Sequence, residues 1–208
     1  MNKINYQKKL DKITEKIGEK KPKLFLHSCC APCSSYVLEY LTKYFDITLF
    51  YFNPNISPEE EYIKRVNEVK RLVAEMPCCK DVKVIEGRYD SREFFEYVKG
   101  LENEREGGAR CIKCFELRLE ETAKLAKKNG ADYFCTTLTI SPLKNVENLN
   151  AVGIKMAEKY GVKWLPSDFK KREGYKRSIE LSAEYNLFRQ NYCGCIFSKN
   201  AQMYKSGE

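Results

Sequence analysis

No stretch of this 208-residue sequence stays apolar for about 18 residues, so nothing in it is expected to span a membrane. The opening residues, Met1 to Lys23, are polar and charged, with no apolar core ahead of a cleavage site. That pattern predicts no secretory signal and a cytoplasmic protein. Internal repeats and low-complexity tracts are also missing, and no composition shift marks a boundary. The expectation is one α/β domain over 1–208, with a helical lead-in at 1–22 and a basic C-terminal segment at 167–208.

What is present is chemically pointed. A hydrophobic fraction of 43% suffices for a core. There are 10 cysteines; outside a secretory context they suggest metal binding or redox chemistry rather than a disulfide framework. The net charge of +8 favours a polyanionic partner, since Lys and Arg gain by releasing phosphate counterions. A solvated surface accounts for part of the same excess.

Short apolar runs alternate with longer helical patterns. Strands are expected at Lys23 to Ser28, Ile47 to Phe52, Val82 to Glu86, Tyr133 to Thr137 and Val162 to Leu165. Helical patterns cover Tyr6 to Glu19, Pro32 to Tyr44, Pro58 to Ala74, Ser91 to Lys99, Cys111 to Lys128, Lys144 to Tyr160 and Gly174 to Leu187. Asn129-Gly130 is a C-terminal stop signal. Alternation of this kind implies a Rossmann-like parallel sheet of the HUP or PP-loop type, flanked by helices, with a C-terminal helical segment completing the site. Sites in such sheets form beyond the carboxyl ends of strands, which is where Cys29 and Cys30 fall.

Three cysteine motifs stand out. His27-Ser28-Cys29-Cys30-Ala31-Pro32-Cys33 follows the first strand, and Cys111-Ile112-Lys113-Cys114 opens a helix. Thiols three residues apart on a first helical turn point the same way, and the helix N-terminus favours the thiolate. Adjacent Cys29 and Cys30 suit metal ligation better than a disulfide. Four soft thiolates fit either zinc or an iron–sulfur cluster, and spacing alone leaves both open. Cys33 reads as a supporting ligand for a second metal or as a small core residue.

The third motif, Cys193-Gly194-Cys195, has a glycine that permits a tight turn. A disulfide there would be strained and easily reduced, making a redox relay; a further ligand pair or two ordinary thiols are the alternatives. Cys135 reads as buried, and adjacent Cys78 and Cys79 receive no role. His27, the only histidine, reads as a hydrogen-bonded structural side chain.

From Asp168 onward, Lys170, Lys171, Arg172, Arg177 and Arg189 are interleaved with aromatics such as Tyr175. Cations meet phosphate while rings stack on unpaired bases, so the mixture suits an RNA loop. Asp168 is the leading carboxylate for proton delivery or metal support, with helix capping or pairing to the following lysines as its bland alternative.

At this point a family resemblance emerges. The blocks LHSCCAPCSSYVLEYL, RCIKCFELRLEETAKLA, CTTLTISPLKN and DFKKREGYKRSIELSAEYNLFRQNYCGCIFS resemble, in order, those of QueH-type epoxyqueuosine reductases. The likeness runs from about residue 23 to 198. It implies reduction of epoxyqueuosine to queuosine at the tRNA wobble base, without cobalamin and with an unidentified electron donor. It also implies a 4Fe–4S cluster on Cys29, Cys30, Cys111 and Cys114, with Cys193 and Cys195 as the redox-active pair. An epoxide deoxygenation takes two electrons, more than a one-electron cluster delivers at once. Either the dithiol or an adjacent mononuclear iron using Cys33 would supply the second redox element.

Two other functions compete. An ATP-dependent tRNA sulfur-transfer enzyme on a PP-loop scaffold would share the opening strand, loop and helix. It would need a glycine-rich phosphate loop where this chain has Ser28-Cys29-Cys30-Ala31-Pro32-Cys33-Ser34. A non-catalytic zinc-stabilised RNA-binding module would explain four cysteines and the basic segment, but not Cys193-Gly194-Cys195.

Overall fold

The computed structural model describes residues 4–206, with side chains to residue 201. Residues 1–3 of the expected lead-in and 207–208 of the C-terminal segment lie outside it. Five strands are present: β1 Lys23–Ser28, β2 Asp46–Tyr51, β3 Lys83–Glu86, β4 Tyr133–Thr136 and β5 Lys163–Trp164. They form one parallel sheet in the order β3-β2-β1-β4-β5.

The helices are α1 Tyr6–Ile17, α2 Ala31–Leu41, α3 Glu59–Glu75, α4 Ser91–Tyr97, α5 Ala109–Lys128, α6 Val146–Tyr160, α7 Gly174–Glu184 and α8 Ile196–Ser206. Two 3₁₀ turns, Pro77–Cys79 and Thr137–Ile140, complete the list. The Rossmann-like α/β architecture is as the alternation implied. Helix α2 stops at Leu41, short of the expected Tyr44, and α8 was not anticipated.

Alternate strand residues point to opposite faces, and each face has its own core. Leu24 and Leu26 of β1 join Leu49 of β2, Leu38 and Leu41 of α2 and Leu72 of α3. Phe25 and Phe50 turn the other way, onto Phe134 and Trp164 and the inner sides of α5 and α6. Because both faces are covered, strands read as continuous apolar runs rather than alternating ones. Each fully buried Leu or Phe here contributes about 1.5–3 kcal/mol through apolar burial.

Two details fix the second layer. The Asn145 side chain caps α6 by accepting from the Glu147 and Asn148 amides. Gly153 of α6 lies flat against Trp164, where an added Cβ would sit 2.3 Å from the indole. Among the described residues no helix is long and apolar enough to cross a membrane.

Strand order reverses between β1 and β4, because the chain leaves β1 toward β2 and later returns to β1's other side. A ligand crevice opens at such a reversal, beyond the carboxyl ends of the strands. At that edge the Cys29 amide donates to Thr137 Oγ1 at 3.3 Å, tying the ends of β1 and β4 together.

Candidate active site

The first cysteine group arises from how β1 passes into α2. Cys30 is extended and acts as the cap residue, and Pro32 occupies the first helical positions, where its missing N–H costs nothing. This brings Cys33 back beside the end of the strand. The sulfurs of Cys29, Cys30 and Cys33 all lie within 4.8 Å of one another, and Cys29 and Cys30 are 3.9 Å apart.

The Cys30 and Cys33 thiols and the Thr137 hydroxyl, at 3.4 Å, all donate to the Cys29 sulfur. Together they hold Cys29 well below the usual thiol range. Cys30 and Cys33 are pushed up, chiefly by that donation to Cys29. Three sulfurs this close form a soft donor set, from which a bound cation would displace protons. Among the described residues this is the group whose spacing suits a metal ion.

Cys111 and Cys114 sit at the start of α5, which opens at Gly108. The Gly107 amide donates to the Cys111 sulfur at 3.2 Å. Burial pushes Cys114 up to about 11, against the opposing pull of Arg118. This pair is not part of the close group formed by Cys29, Cys30 and Cys33. What the two share is Arg118, one helical turn beyond Cys114. Its Nε donates to the Cys114 carbonyl at 3.2 Å and its Nη1 to Asn53 Oδ1 at 3.3 Å.

Cys193 and Cys195 reach the same place from the C-terminal side. Gly194 between them has φ +102°, a conformation that favours glycine, and its carbonyl accepts from the Ser57 amide at 3.0 Å. The ten cysteines are free thiols in this structure. The Cys195 thiol donates to Cys193 and, with the cations Lys144 and Arg118, holds Cys193 well below the usual range. Cys195 is pushed up by the same hydrogen bond and by burial.

A cleft of about 590 Å³, counting space open to solvent, is lined by Cys29, Cys30, Cys33, Cys193, Arg118 and Lys144, among others. A second cleft of about 760 Å³ adjoins it through Cys30, Cys33, Ser141, Leu143, Gln190 and Asn191, and extends to Tyr175 and Arg189. The Arg189 guanidinium lies 5.5 Å from the Tyr175 ring centre. A chain of side chains thus leads from a basic, aromatic surface inward to the thiols.

The remaining basic residues behave differently. Arg172 pairs with Asp11 at 2.7 Å and Arg177 with Glu39 at 2.6 Å. Lys170 donates to the Thr139 carbonyl and pairs with Asp168, each at 3.0 Å. Lys171 is exposed. Asp168 is buried and is not among the residues lining either cleft.

His27 is fully buried. Its Nε2 meets the Phe52 carbonyl at 3.1 Å, so Nε2 carries the proton, while Nδ1 accepts from Thr136 Oγ1 at 2.8 Å. Burial lowers it to about 4 and keeps the ring neutral.

Sequence reasoning passed over the three cations lining the first cleft: Arg65, Arg118 and Lys144. Arg118 was findable, because it continues the Cys111, Cys114 stripe of one helical face.

Comparison with known proteins shows the family. A family model described as Epoxyqueuosine reductase QueH matches residues 24–201. A Staphylococcus epidermidis protein named epoxyqueuosine reductase QueH is 49% identical, covering 96% of this chain and 87% of that protein. Proteins of the same name from Acinetobacter baylyi and Thermotoga maritima are 39% and 37% identical; they cover 90% and 89% of this chain, and 85% and 94% of their own lengths. The chain belongs to the epoxyqueuosine reductase QueH family, a family of oxidoreductases.

Proposed function

We propose that this protein reduces epoxyqueuosine to queuosine at the wobble position of tRNA, in the cytoplasm, with an iron–sulfur cluster and a cysteine pair sharing one cleft. The observation that carries this reading is the convergence of Cys29, Cys30, Cys33 and Cys193 on a single cleft with the buried Arg118 and the half-buried Lys144. Family membership supplies the reaction.

The residues present fit an anionic, thiolate-bound centre. Donors are soft, and Arg118 buries a guanidinium whose Nη2 has no hydrogen-bond partner. Isolated buried charge is costly, whereas thiolates on a metal centre supply the missing negative charge. Cys29, Cys30, Cys111 and Cys114 would hold a 4Fe–4S cluster, and Cys33 would serve a mononuclear iron beside it. When bound, the cluster supplies electrons one at a time.

The chain's own residues do the rest. Conversion of the epoxide to an alkene and water consumes two electrons and two protons. Oxidation of the Cys193 thiolate and the Cys195 thiol to a disulfide releases two electrons and one proton, the second proton comes from solvent, and an external electron donor restores the pair. Cys193, held as a thiolate, would be the sulfur on which such exchange begins. Tyr175 and Arg189 would receive the RNA at the outer cleft by stacking and charge, with the exposed Lys171 adding positive charge, while Lys170, Arg172 and Arg177 are offset by carboxylate partners. Asp168 would act through Lys170, beside that entrance. In this reading residues 1–208 work as one unit, with 167–208 closing the site.

Anaerobic purification with iron and sulfide analysis, followed by reaction with epoxyqueuosine-containing tRNA and a reductant, tests it. About four irons and four sulfides per chain with queuosine formed is the expected result. One zinc, no sulfide and no conversion would overturn the proposal and leave a zinc-stabilised RNA-binding module.

A further inference from the structure

Three cations line the inner cleft, and their partners differ. Arg65 pairs with Glu61 at 2.7 Å, and Lys144 pairs with Glu106 at 3.0 Å. Arg118 has no carboxylate within ion-pair distance among the described residues; its two hydrogen bonds go to neutral oxygens and its Nη2 has no partner. It is also 2% exposed. A guanidinium is effectively always charged, so a positive charge is locked in the interior beside the thiols, with no carboxylate paired to it among the described residues.

We infer that Arg118 is the fixed counter-charge of the metal centre and a positioning residue that sets its redox equilibrium. The inference rests on the cluster reading above and goes beyond it. Burial works against the charge on Arg118, and Cys114, Cys193, Cys29 and Cys111 work for it. Arg118 hydrogen-bonds the Cys114 carbonyl and lines the cleft with Cys29 and Cys193, so both cluster segments and the redox pair feel one cation. Asn53 fixes it: Asn53 Nδ2 donates to the Ser28 carbonyl at 2.9 Å while its Oδ1 accepts from Arg118. The guanidinium is thereby tied to the end of β1 and cannot swing to solvent.

The sign of the effect follows from Coulomb's law. Reduction adds an electron to a centre that is already negative, and a nearby cation favours the more negative form. Arg118 thus makes the cluster easier to reduce. Oxidising Cys193 removes a nearby negative charge, which by the same law also favours the reduced cluster. This couples the two redox elements without contact between them.

The test compares wild type, Arg118→Met and Arg118→Lys as anaerobically loaded proteins. Iron and sulfide are measured first, then the cluster midpoint potential by EPR-monitored titration. Loss of the cation should shift the reduction equilibrium at least tenfold toward the oxidised cluster, about 59 mV for one electron. Arg118→Lys should stay nearer wild type. A fully loaded Arg118→Met protein with an unchanged midpoint would overturn the inference while leaving the cluster reading intact. If Arg118→Met fails to load and Arg118→Lys succeeds, charge is the requirement and the inference stands. Failure of both would show that guanidinium shape, not charge, is needed, and overturn it. Zinc without sulfide in the wild type would remove the cluster reading itself, an outcome distinct from all of these.

Discussion

The Ser57 amide donates to the Gly194 carbonyl at 3.0 Å, stitching the turn between the last two cysteines to the loop after β2. The bond holds Gly194 where a Cβ would lie 2.9 Å from Arg65 Nη1 and 3.0 Å from Ile56 Cγ1, at φ +102°. Gly194→Ala meets both the backbone penalty and the contact. Its expected cost is about 1–3 kcal/mol, with turnover down at least tenfold while iron content is kept, checked by urea unfolding and iron assay.

The redox pair has its own signature. A Cys193→Ser, Cys195→Ser double variant should retain the cluster and lose multiple-turnover queuosine formation with the natural donor. Nucleoside analysis of the product tRNA, alongside sulfide content, reads both. Undiminished turnover would remove the relay from the mechanism.

The basic residues should separate into two kinds. Tyr175→Ala and Arg189→Ala alter the outer cleft, and each should weaken tRNA binding by an amount on the scale of one stacked base, about 1–3 kcal/mol. Arg177→Ala breaks the ion pair with Glu39 instead, and its effect should fall on stability. Filter binding and thermal melting on the same preparations tell these apart.

Metal removal offers a reversal of sign. In the reduced apoprotein Arg118 is a buried charge with no carboxylate partner among the described residues, so Arg118→Met should melt no lower than wild-type apoprotein. Calorimetry under chelator checks this, and a markedly lower melting temperature would mean that its hydrogen bonds to Cys114 and Asn53 matter more than its charge.

His27 is expected to be structural. His27→Leu strands the Phe52 carbonyl and the Thr136 hydroxyl in the core, costing about 2–4 kcal/mol over the two lost bonds. Iron content at low temperature should stay near wild type, and equilibrium unfolding measures the loss.

Much of this was legible in the residues. Lys23 to Ser28 reads as a strand because both sides of β1 are buried, and Asn129-Gly130 ends α5 where the backbone turns left-handed at Gly130. The cysteine motifs advertise themselves by donor type and spacing. Helix α8 escaped notice because Ile196–Ser206 follows a turn and carries no strong apolar stripe. Arg118 reads as a solvated helix residue until α5 is laid against the sheet. The partners of Arg172 and Arg177 come from α1 and α2, and no local pattern reveals them. Cys33 joins Cys29 and Cys30 only because Cys30 caps α2 in an extended conformation.

The sheet order has a bearing on how the protein is made. Its thiols are delivered by segments 29–33, 111–114 and 193–195, and the cleft shared by the first and last of these forms only after β4 has inserted beside β1 and α7 has folded back. During synthesis the first three thiols leave the ribosome while the last pair has yet to be joined to the chain. A soft metal ion captured then would find half a cage. The early thiols therefore wait through most of synthesis before Cys193 joins their cleft.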